Sequence, residues 1–482
     1  MQKSFLLTDF YELTMMQGYF LKKSNPRVVF EMSFRRQPFD GGFTIFAGLD
    51  DVIDTLEQST FTNEEIEYLR GLGTFTEDFL QDLKGFSFSG DLWAIDEGTV
   101  VFPGEPLLRV HSTLMEAQLI ESLLLNIINF QTLIATKSAR IVHAAQGRGV
   151  LEFGLRRAHG PDGALSAARA AFIGGAAATS NTLAGKTLGI PVKGTMAHSW
   201  IMAFPSELEA FRNYADLYPD GTILLIDTYE TLGSGIDNAI TVGKELKAKG
   251  KKFGVRLDSG DLSYLSMKVR RRLDEAGLED AVIVASNELD EQIIRQLVTA
   301  GAPIDMWGVG TRLVTGSDDP SLTGVYKLCS REHNGNFVPT IKVSDNPEKI
   351  SNPGIKQIYR YHDGDGGPLA DLIALADEKI DTAEPRMFYH PMYPYKHFRS
   401  TGHKKVIPLL SQKIKKGKRV VQKRPLREIQ NYCMENLLGF DDTYKRIINP
   451  HIYKVSLTEK LKDLKFKMVD EYSKNGHFHP DR

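Results

Sequence analysis

From residue 150 to about 328 the chain alternates short apolar or β-branched runs with longer stretches of helical spacing. The runs are VLEFGLR, AFIGG, IPVKGTMAHSW, TILLIDTY, KFGVRLDSG, AVIVASNEL, IDMWGVGTRLV and VYKLC. SELEAFRNYADLY, GIDNAITVGKELKAKG, LSYLSMKVRRRLDEAG and LDEQIIRQLVTAG separate the later ones. Nearly continuous apolar runs alternating with amphipathic stretches predict parallel strands joined by crossover helices. In the third helical stretch Leu262, Leu265, Val269 and Leu273 recur at helical spacing opposite an Arg-rich face, and Gly277 stands where a C-terminal stop belongs.

The polar residues that close the runs are regularly spaced. His198 to Asp227 is 29 residues, Asp227 to Asp258 is 31, and Asp258 to Asn287 is 29, each the length of one βα unit. Parallel strands point the same way, so groups at their ends gather on one rim, where α/β barrels build their chemistry. That rim is expected to carry Arg156, His198, Asp227, Asp258, Asn287 and the glycines of GVGT, with His198 at the end of an apolar strand.

The flanks read differently. Residues 1–125 mix short helices with β-rich stretches such as VVFEMSFRR and the turn-rich FSFSGDLWAIDEGTVVFPGEPLLRV, an α+β domain by pattern. The barrel domain is expected over 126–345 and a C-terminal domain, partly packing on the N-terminal one, over 346–482. Its basic run SQKIKKGKRVVQKRPLREIQ lacks interleaved aromatics, so a solvated surface or a terminal face covering acidic neighbours is favoured over nucleic-acid binding.

Composition narrows the class further. At 482 residues the chain exceeds the roughly 250 of one α/β barrel, and with 25% charged residues and a net charge of −2 no overall field attracts nucleic acid or an anionic membrane. Two cysteines, Cys329 and Cys433, are too few for a disulfide framework or a paired zinc site. The first twenty residues carry Lys3, Asp9 and Glu12 within their apolar run, unlike a signal peptide, and no run approaches the ~20 apolar residues of a membrane span. A cytoplasmic protein is expected.

Several motifs admit a site reading and a plain one. SNTLAGKTLG ends like a phosphate loop, but the first required glycine falls at Ser180, and its apolar surroundings suit a tight helix. In GVRLDSGDLSYLS, Arg256 with Asp258 and Asp261 ahead of a helix could hold a phosphate, Mg²⁺ or sugar hydroxyls; equally, the carboxylates could cap the helix or pair with Arg256. Gly308, Gly310 and Thr311 follow an apolar run as a turn that lets phosphate approach the backbone. Asp227 directly follows TILLI, a placement that favours a site or network role. Arg156 and Arg157 suit bidentate recognition of carboxylate or phosphate, with structural ion pairing as the competitor. Cations, phosphate-accepting turns, carboxylates and one imidazole together suit an enzyme that handles a phosphorylated sugar.

In the order and content of TDFYELTM, EFGLRRAHGPDGALSAARAAFIGG, SNTLAGKTLGIPVKGTMAHSW, IDTYET, GVRLDSGDL, GVGTRLVT and NPGIKQIYR, from near residue 6 to about 360, the chain resembles the nicotinate phosphoribosyltransferases. The resemblance implies an irregular α/β barrel with an N-terminal α+β domain and a small C-terminal region, in a homodimer with shared active sites. It implies an ATP-dependent reaction, in the ligase class, that joins nicotinate to 5-phosphoribosyl 1-diphosphate. Pyrophosphate and nicotinate mononucleotide are the products, for NAD biosynthesis, with Mg²⁺ as cofactor and ATP as co-substrate. Carried over residue by residue, His198 is the histidine transiently phosphorylated by ATP. Arg256 and Asp258 meet the pyrophosphate, its Mg²⁺ and the ribose, and Asp227 is a further Mg²⁺ and sugar-phosphate position. Gly308, Gly310 and Thr311 cradle the 5′-phosphate, Tyr11 with Arg156 surrounds the nicotinate ring and its carboxylate, and Arg157 is assigned to substrate beside them. Thr195, Ser199 and Asn287 are assigned to substrate, Asn287 standing where the related nicotinamide enzymes present an Asp. Nicotinamide or quinolinate as acceptor, or a non-catalytic metabolite-binding barrel, are the rivals; the arginine pair favours an acid over an amide.

Overall fold

The computed structural model describes residues 4–381 and 383–475. The chain divides into two compact units, Ile134–Pro320 and a second made of Met1–Leu133 with Ser321–Arg482.

The unit Ile134–Pro320 is built on six parallel strands, in the spatial order Ala178–Thr179, Gly149–Glu152, Met306–Val309, Val282–Ala285, Phe253–Leu257, Thr222–Leu225. Leu224, Leu225, Val255, Leu257, Ile283, Val284, Trp307 and Val309 are fully buried. At roughly 1.5–3 kcal/mol for each large side chain removed from water, that burial accounts for runs that read as continuously apolar. Thr179 bridges Val192, extending the sheet beyond its first edge. His198, downstream of that bridge, lies with Nδ1 3.1 Å from the Thr228 hydroxyl, just past the strand at the other edge. The two edges therefore approach at one rim, and the sheet is a curled half-barrel rather than a flat layer.

The crossover helices fall where helical spacing placed them. Leu262–Glu275 buries Leu262, Val269 and Leu273, its start is capped by the Asp261 side chain accepting the Tyr264 N–H at 3.0 Å, and Gly277 takes a φ of 75° past its end. Such a cap is worth about 1 kcal/mol. SNTLAGKTLG is the helix Thr182–Leu188, capped by Asn181; a Cβ on Gly185 would lie 2.2 Å from a Val192 methyl, so the glycine admits the neighbouring segment.

Three expected strands differ. AFIGG closes the helix Gly160–Ile173, because the alanines before it extend a helix that packs on the sheet. IPVKGTMAHSW makes only the single bridge at Val192; Pro191 and Gly194 interrupt it, and His198 opens the short helix His198–Met202 instead of ending a strand. VYKLC lies within Gly324–His333, which pairs antiparallel with Arg27–Phe34 in the other unit's sheet, not with the parallel strands.

The unit Met1–Leu133 with Ser321–Arg482 contains a seven-stranded antiparallel sheet in which Gly324–His333, Arg27–Phe34, Leu108–Thr113, Asp91–Ala94 and Ser411–Lys415 are successive neighbours. A six-stranded sheet includes Lys356–His362 and Pro368–Leu375. Phe30, Met32, Leu108, Val110 and Tyr326 join one continuous core with Ile358, Ile373 and Leu461. The basic run meets acids: Arg419 pairs with Asp50 and Asp54 at 2.7 Å, Lys423 with Asp54 at 2.6 Å, and Lys413 with Asp96. One helical stretch, Leu114–Ala144, is long and apolar enough to cross a membrane, against the sequence expectation; 61% of its apolar window is buried inside the protein, as in a core helix.

Candidate active site at the rim of the parallel sheet

Register brings the site residues into one row. Leu225 and Val284 both pair with Arg256, and Ala285 pairs with Trp307. Continued past the strand ends, that register aligns Asp227, Asp258, Ser286 and Gly308. The contacts agree: Asp227 Oδ2 accepts the Asp258 N–H at 3.0 Å and the Ser259 hydroxyl at 2.5 Å, and the Ser286 hydroxyl donates to Asp258 Oδ1. A Cβ on Gly308 would meet the Phe153 ring at 2.7 Å and Ser286 Cβ at 3.3 Å, so glycine keeps this corner open to the backbone.

Arg256 is held from three sides. Its Nε donates to the Ser286 hydroxyl at 2.9 Å, and its Nη1 to the Thr195 hydroxyl at 2.5 Å and to the Met196 carbonyl at 3.1 Å. Its Nη2 lies 3.1 Å from Asp258 Oδ2. The guanidinium is therefore fixed, and after the contact with Asp258 one N–H of Nη2 is left over. In GVRLDSGDL the plain reading is met at both carboxylates, since Asp261 caps the helix and Asp258 pairs with Arg256; Asp258 also faces His198.

His198 is partly exposed, its side chain 41% open, with Nε2 3.7 Å from Asp258 Oδ2. That separation is too long for a hydrogen bond. Nδ1 engages Thr228, which leaves Nε2 uncommitted.

The remaining expected residues divide. Arg156 and Arg157 are exposed on the turn Leu155–Arg157, and neither forms an ion pair among the described residues. The turn is anchored by Glu152, which is 2% exposed and accepts the Gly154 N–H and the Thr179 hydroxyl; burial raises its pKa while both hydrogen bonds oppose the rise. Thr311 donates to Glu288 at 3.3 Å, and Gly310 precedes the short helix Thr311–Val314. Ser199 is exposed, as is Asn287, which has a φ of 107°. Neither side chain forms a hydrogen bond among the described residues. Tyr11 belongs to the other unit, 48% exposed on the helix Phe10–Leu21 beside Glu12, Asp9 and Glu121; burial first, then Glu12, raises its pKa.

Sequence reading missed Ser286, Thr228, Ser259 and Glu152. The signal for Ser286 was present: Arg256 and Asp258 are two apart, hence on one face, and strand register selects Ser286, whereas counting 29 residues selects its neighbour.

Asp227 Oδ1 is buried with no hydrogen-bond partner, a spare carboxylate oxygen at the rim. Among the described residues no group of three or more His, Cys, Asp or Glu forms a metal cage. One or two carboxylates fit Mg²⁺, which keeps waters and substrate phosphates as its other ligands.

Comparison with known proteins agrees in extent and order. Residues 6–129 match the nicotinate phosphoribosyltransferase (NAPRTase) N-terminal domain, 149–352 the NAPRTase family, and 355–465 the nicotinate phosphoribosyltransferase C-terminal domain. The nicotinate phosphoribosyltransferase of Bacillus subtilis is 44% identical over 473 residues, covering 97% of this chain and 95% of the relative. The Homo sapiens relative of the same name is 32% identical, with 95% of each chain covered. The crystal structure of human nicotinic acid phosphoribosyltransferase superposes with a TM-score of 0.85 at 30% identity, covering 96% of this chain and 99% of that one. A nicotinate-nucleotide pyrophosphorylase from Pyrococcus furiosus, 24% identical with a TM-score of 0.70, shares the fold over 90% of this chain and 94% of its own. With all three regions matched in order and the relatives aligned nearly end to end, this chain belongs to the nicotinate phosphoribosyltransferase family.

Proposed function

We propose that the rim joins nicotinate to the anomeric carbon of 5-phosphoribosyl 1-diphosphate, releasing pyrophosphate and forming nicotinate mononucleotide for NAD biosynthesis. The observation that carries this reading is the clamp on Arg256, with Asp258, Asp227 and His198 gathered beside it. The pyridine nitrogen supplies the electron pair of the new bond to carbon, and the breaking C–O bond leaves its pair on the pyrophosphate. Positive charge develops on the ribosyl carbon as the anion departs. Arg256, fixed before substrate arrives, offers Nη2 to the departing charge without reorganisation, the condition under which electrostatic stabilisation is strongest. Asp258 stabilises the cationic sugar from the same row. The unpaired Arg156 and Arg157 supply planar donors for the nicotinate carboxylate.

Asp227 and Asp258 would hold Mg²⁺, which when bound neutralises diphosphate charge. The reading extends to ATP coupling. With Nδ1 engaged by Thr228, the lone pair on Nε2 of His198 attacks the γ-phosphorus of ATP, the bond to the bridging oxygen breaks, and ADP leaves. The family resemblance supports a cytoplasmic homodimer whose subunits share active sites, with Tyr11 as a nicotinate contact and the turn at Gly308, Gly310 and Thr311 as the 5′-phosphate cradle.

The test is a product assay with nicotinate, nicotinamide and quinolinate as acceptors, with and without ATP. Nicotinate mononucleotide formed from nicotinate, faster with ATP, is the expected result. Turnover of only nicotinamide or quinolinate, or of none of the three, refutes it.

A further inference from the structure

The strand Gly149–Glu152 ends between two neighbours: Glu152 pairs with Val309 on one side and with Thr179 on the other. Each neighbour leads at once into the rim. Val309 precedes Gly310 and Thr311, while Thr179 precedes Asn181 and bridges Val192, on the segment that runs on to Thr195 and His198. Phe153 donates its N–H to the Val309 carbonyl at 2.8 Å, and the Ser180 N–H donates to the Glu152 carbonyl at 2.9 Å. The turn with Arg156 and Arg157 therefore leaves the sheet where the other rim segments meet it.

At that junction lies a carboxylate without a cation. Glu152 is buried and forms no ion pair among the described residues. Its Oε1 accepts the Gly154 N–H and its Oε2 the Thr179 hydroxyl, which in turn accepts the Asn181 N–H at 2.9 Å. Burying a carboxylate without a counter-charge is costly, so packing alone does not account for it. A carboxylate presents accepting oxygens to both donors, whereas the amide of a glutamine would turn its NH₂ toward one of them. The fit around Gly154 is close: a Cβ there would lie 2.2 Å from a Val314 methyl and 3.0 Å from Glu152 Oε1. The backbone thus passes between the carboxylate and the helix Thr311–Val314. The Gly154 carbonyl accepts the Arg157 N–H at 2.8 Å, so holding Gly154 holds the turn that carries both guanidinium groups.

We propose that Glu152 is a positioning residue for the acceptor: its carboxylate fixes the turn of Arg156 and Arg157 against the turn of Gly308, Gly310 and Thr311, and so sets the distance between the nicotinate carboxylate and the sugar phosphate. The role rests on the transferase reading of the rim. The pyridine nitrogen must meet the anomeric carbon along one line, and a misplacement of about 1 Å can cost on the order of a hundredfold in rate. Arg256 makes its contacts with Ser286, Thr195, Met196 and Asp258 and none with Glu152, so the diphosphate end of the site is held independently.

The test uses the full-length enzyme and initial rates, with nicotinate varied at saturating 5-phosphoribosyl 1-diphosphate and then the reverse. Glu152→Gln should raise KM for nicotinate by about tenfold or more and leave KM for the diphosphate within roughly threefold of wild type, because only the acceptor turn loses its anchor. A merely structural role would lower the active fraction, and kcat with it, without separating the two KM values. Thr179→Val keeps the shape and removes one donor to the carboxylate; it should raise the nicotinate KM by roughly three- to tenfold, and Thr179→Ser should restore it. This second pair decides the matter if Glu152→Gln does not unfold cooperatively. An unchanged nicotinate KM in Glu152→Gln, equal rises in both KM values, or Thr179→Val indistinguishable from Thr179→Ser overturns the positioning role while the wild-type reaction stands. A wild type that forms no nicotinate mononucleotide refutes the transferase reading, and the positioning role falls with it.

Discussion

Ser286→Ala is the sharpest perturbation of the rim. The hydroxyl accepts from Arg256 Nε at 2.9 Å and donates to Asp258 Oδ1, so one oxygen sets the relative position of a cation and a carboxylate. The partners, a guanidinium and a carboxylate, are mostly shielded, at 13% and 22% side-chain exposure, and hydrogen bonds to charged groups are worth roughly 1.5–3 kcal/mol. The variant removes a single oxygen and creates no cavity of consequence, while Arg256 keeps Thr195 and Met196. The loss therefore appears as mis-aim in the transition state, at the scale of one such bond, and kcat/KM for 5-phosphoribosyl 1-diphosphate should fall roughly 10- to 150-fold. Initial rates against that substrate, at saturating nicotinate, measure it. Because Ser286 acts through the guanidinium, Ser286→Ala/Arg256→Ala should cost little more than Arg256→Ala alone, a coupling that a merely structural serine would not produce. A Ser286→Ala enzyme within twofold of wild type, or a double variant with both penalties summed, refutes the positioning role.

Other outcomes follow from the same structure. His198→Ala should lose the acceleration by ATP while slow ATP-independent transfer persists; rates with and without ATP decide it, and undiminished stimulation contradicts the phosphohistidine role. Lys465 makes stability depend on pH, because its folded-state pKa of about 8 lies below its ordinary 10.5. The unfolded chain then binds the proton more tightly, so the penalty is complete below pH 8 and disappears as pH rises toward 10.5. Between pH 7 and 10.5 the urea-unfolding free energy of wild type should gain on that of Lys465→Met by up to about 3 kcal/mol; a difference that stays constant with pH contradicts the assignment.

The barrel was legible in the sequence because its determinants are local. A doubly covered parallel strand must be continuously apolar and its crossover helix amphipathic, and both marks occur within single segments such as TILLI and Leu262–Glu275. Elements defined by distant pairing were not. Val325–Cys329 has the composition of a parallel strand, but its partner is Arg27–Phe34, about 300 residues away, and nothing within the segment specifies that. AFIGG failed for the opposite reason: its own residues favour a strand, while the alanines upstream had already committed the segment to a helix.

At the rim the same distinction operates at the scale of one residue. Counting along the chain located the loops of Asp227, Asp258 and Ser286, since each βα unit returns the backbone to the same end of the sheet, while Gly308 was marked by the glycines of GVGT. It could not decide which residue of a loop faces inward, because insertions in a helix or turn change the count without changing the register. Hydrogen-bonded register carries no such error: Val284 pairs with Arg256, so Ser286 stands with Asp258, and Asn287, one step on, is exposed with a φ of 107°. Asp227 satisfies count and register alike, two residues past a strand whose Leu225 pairs with Arg256. For sites built on parallel sheets, then, spacing identifies the loop and parity from the last paired residue identifies the side chain, and the second criterion can be applied to sequence wherever a neighbouring strand already holds a recognised pair such as Arg256 and Asp258.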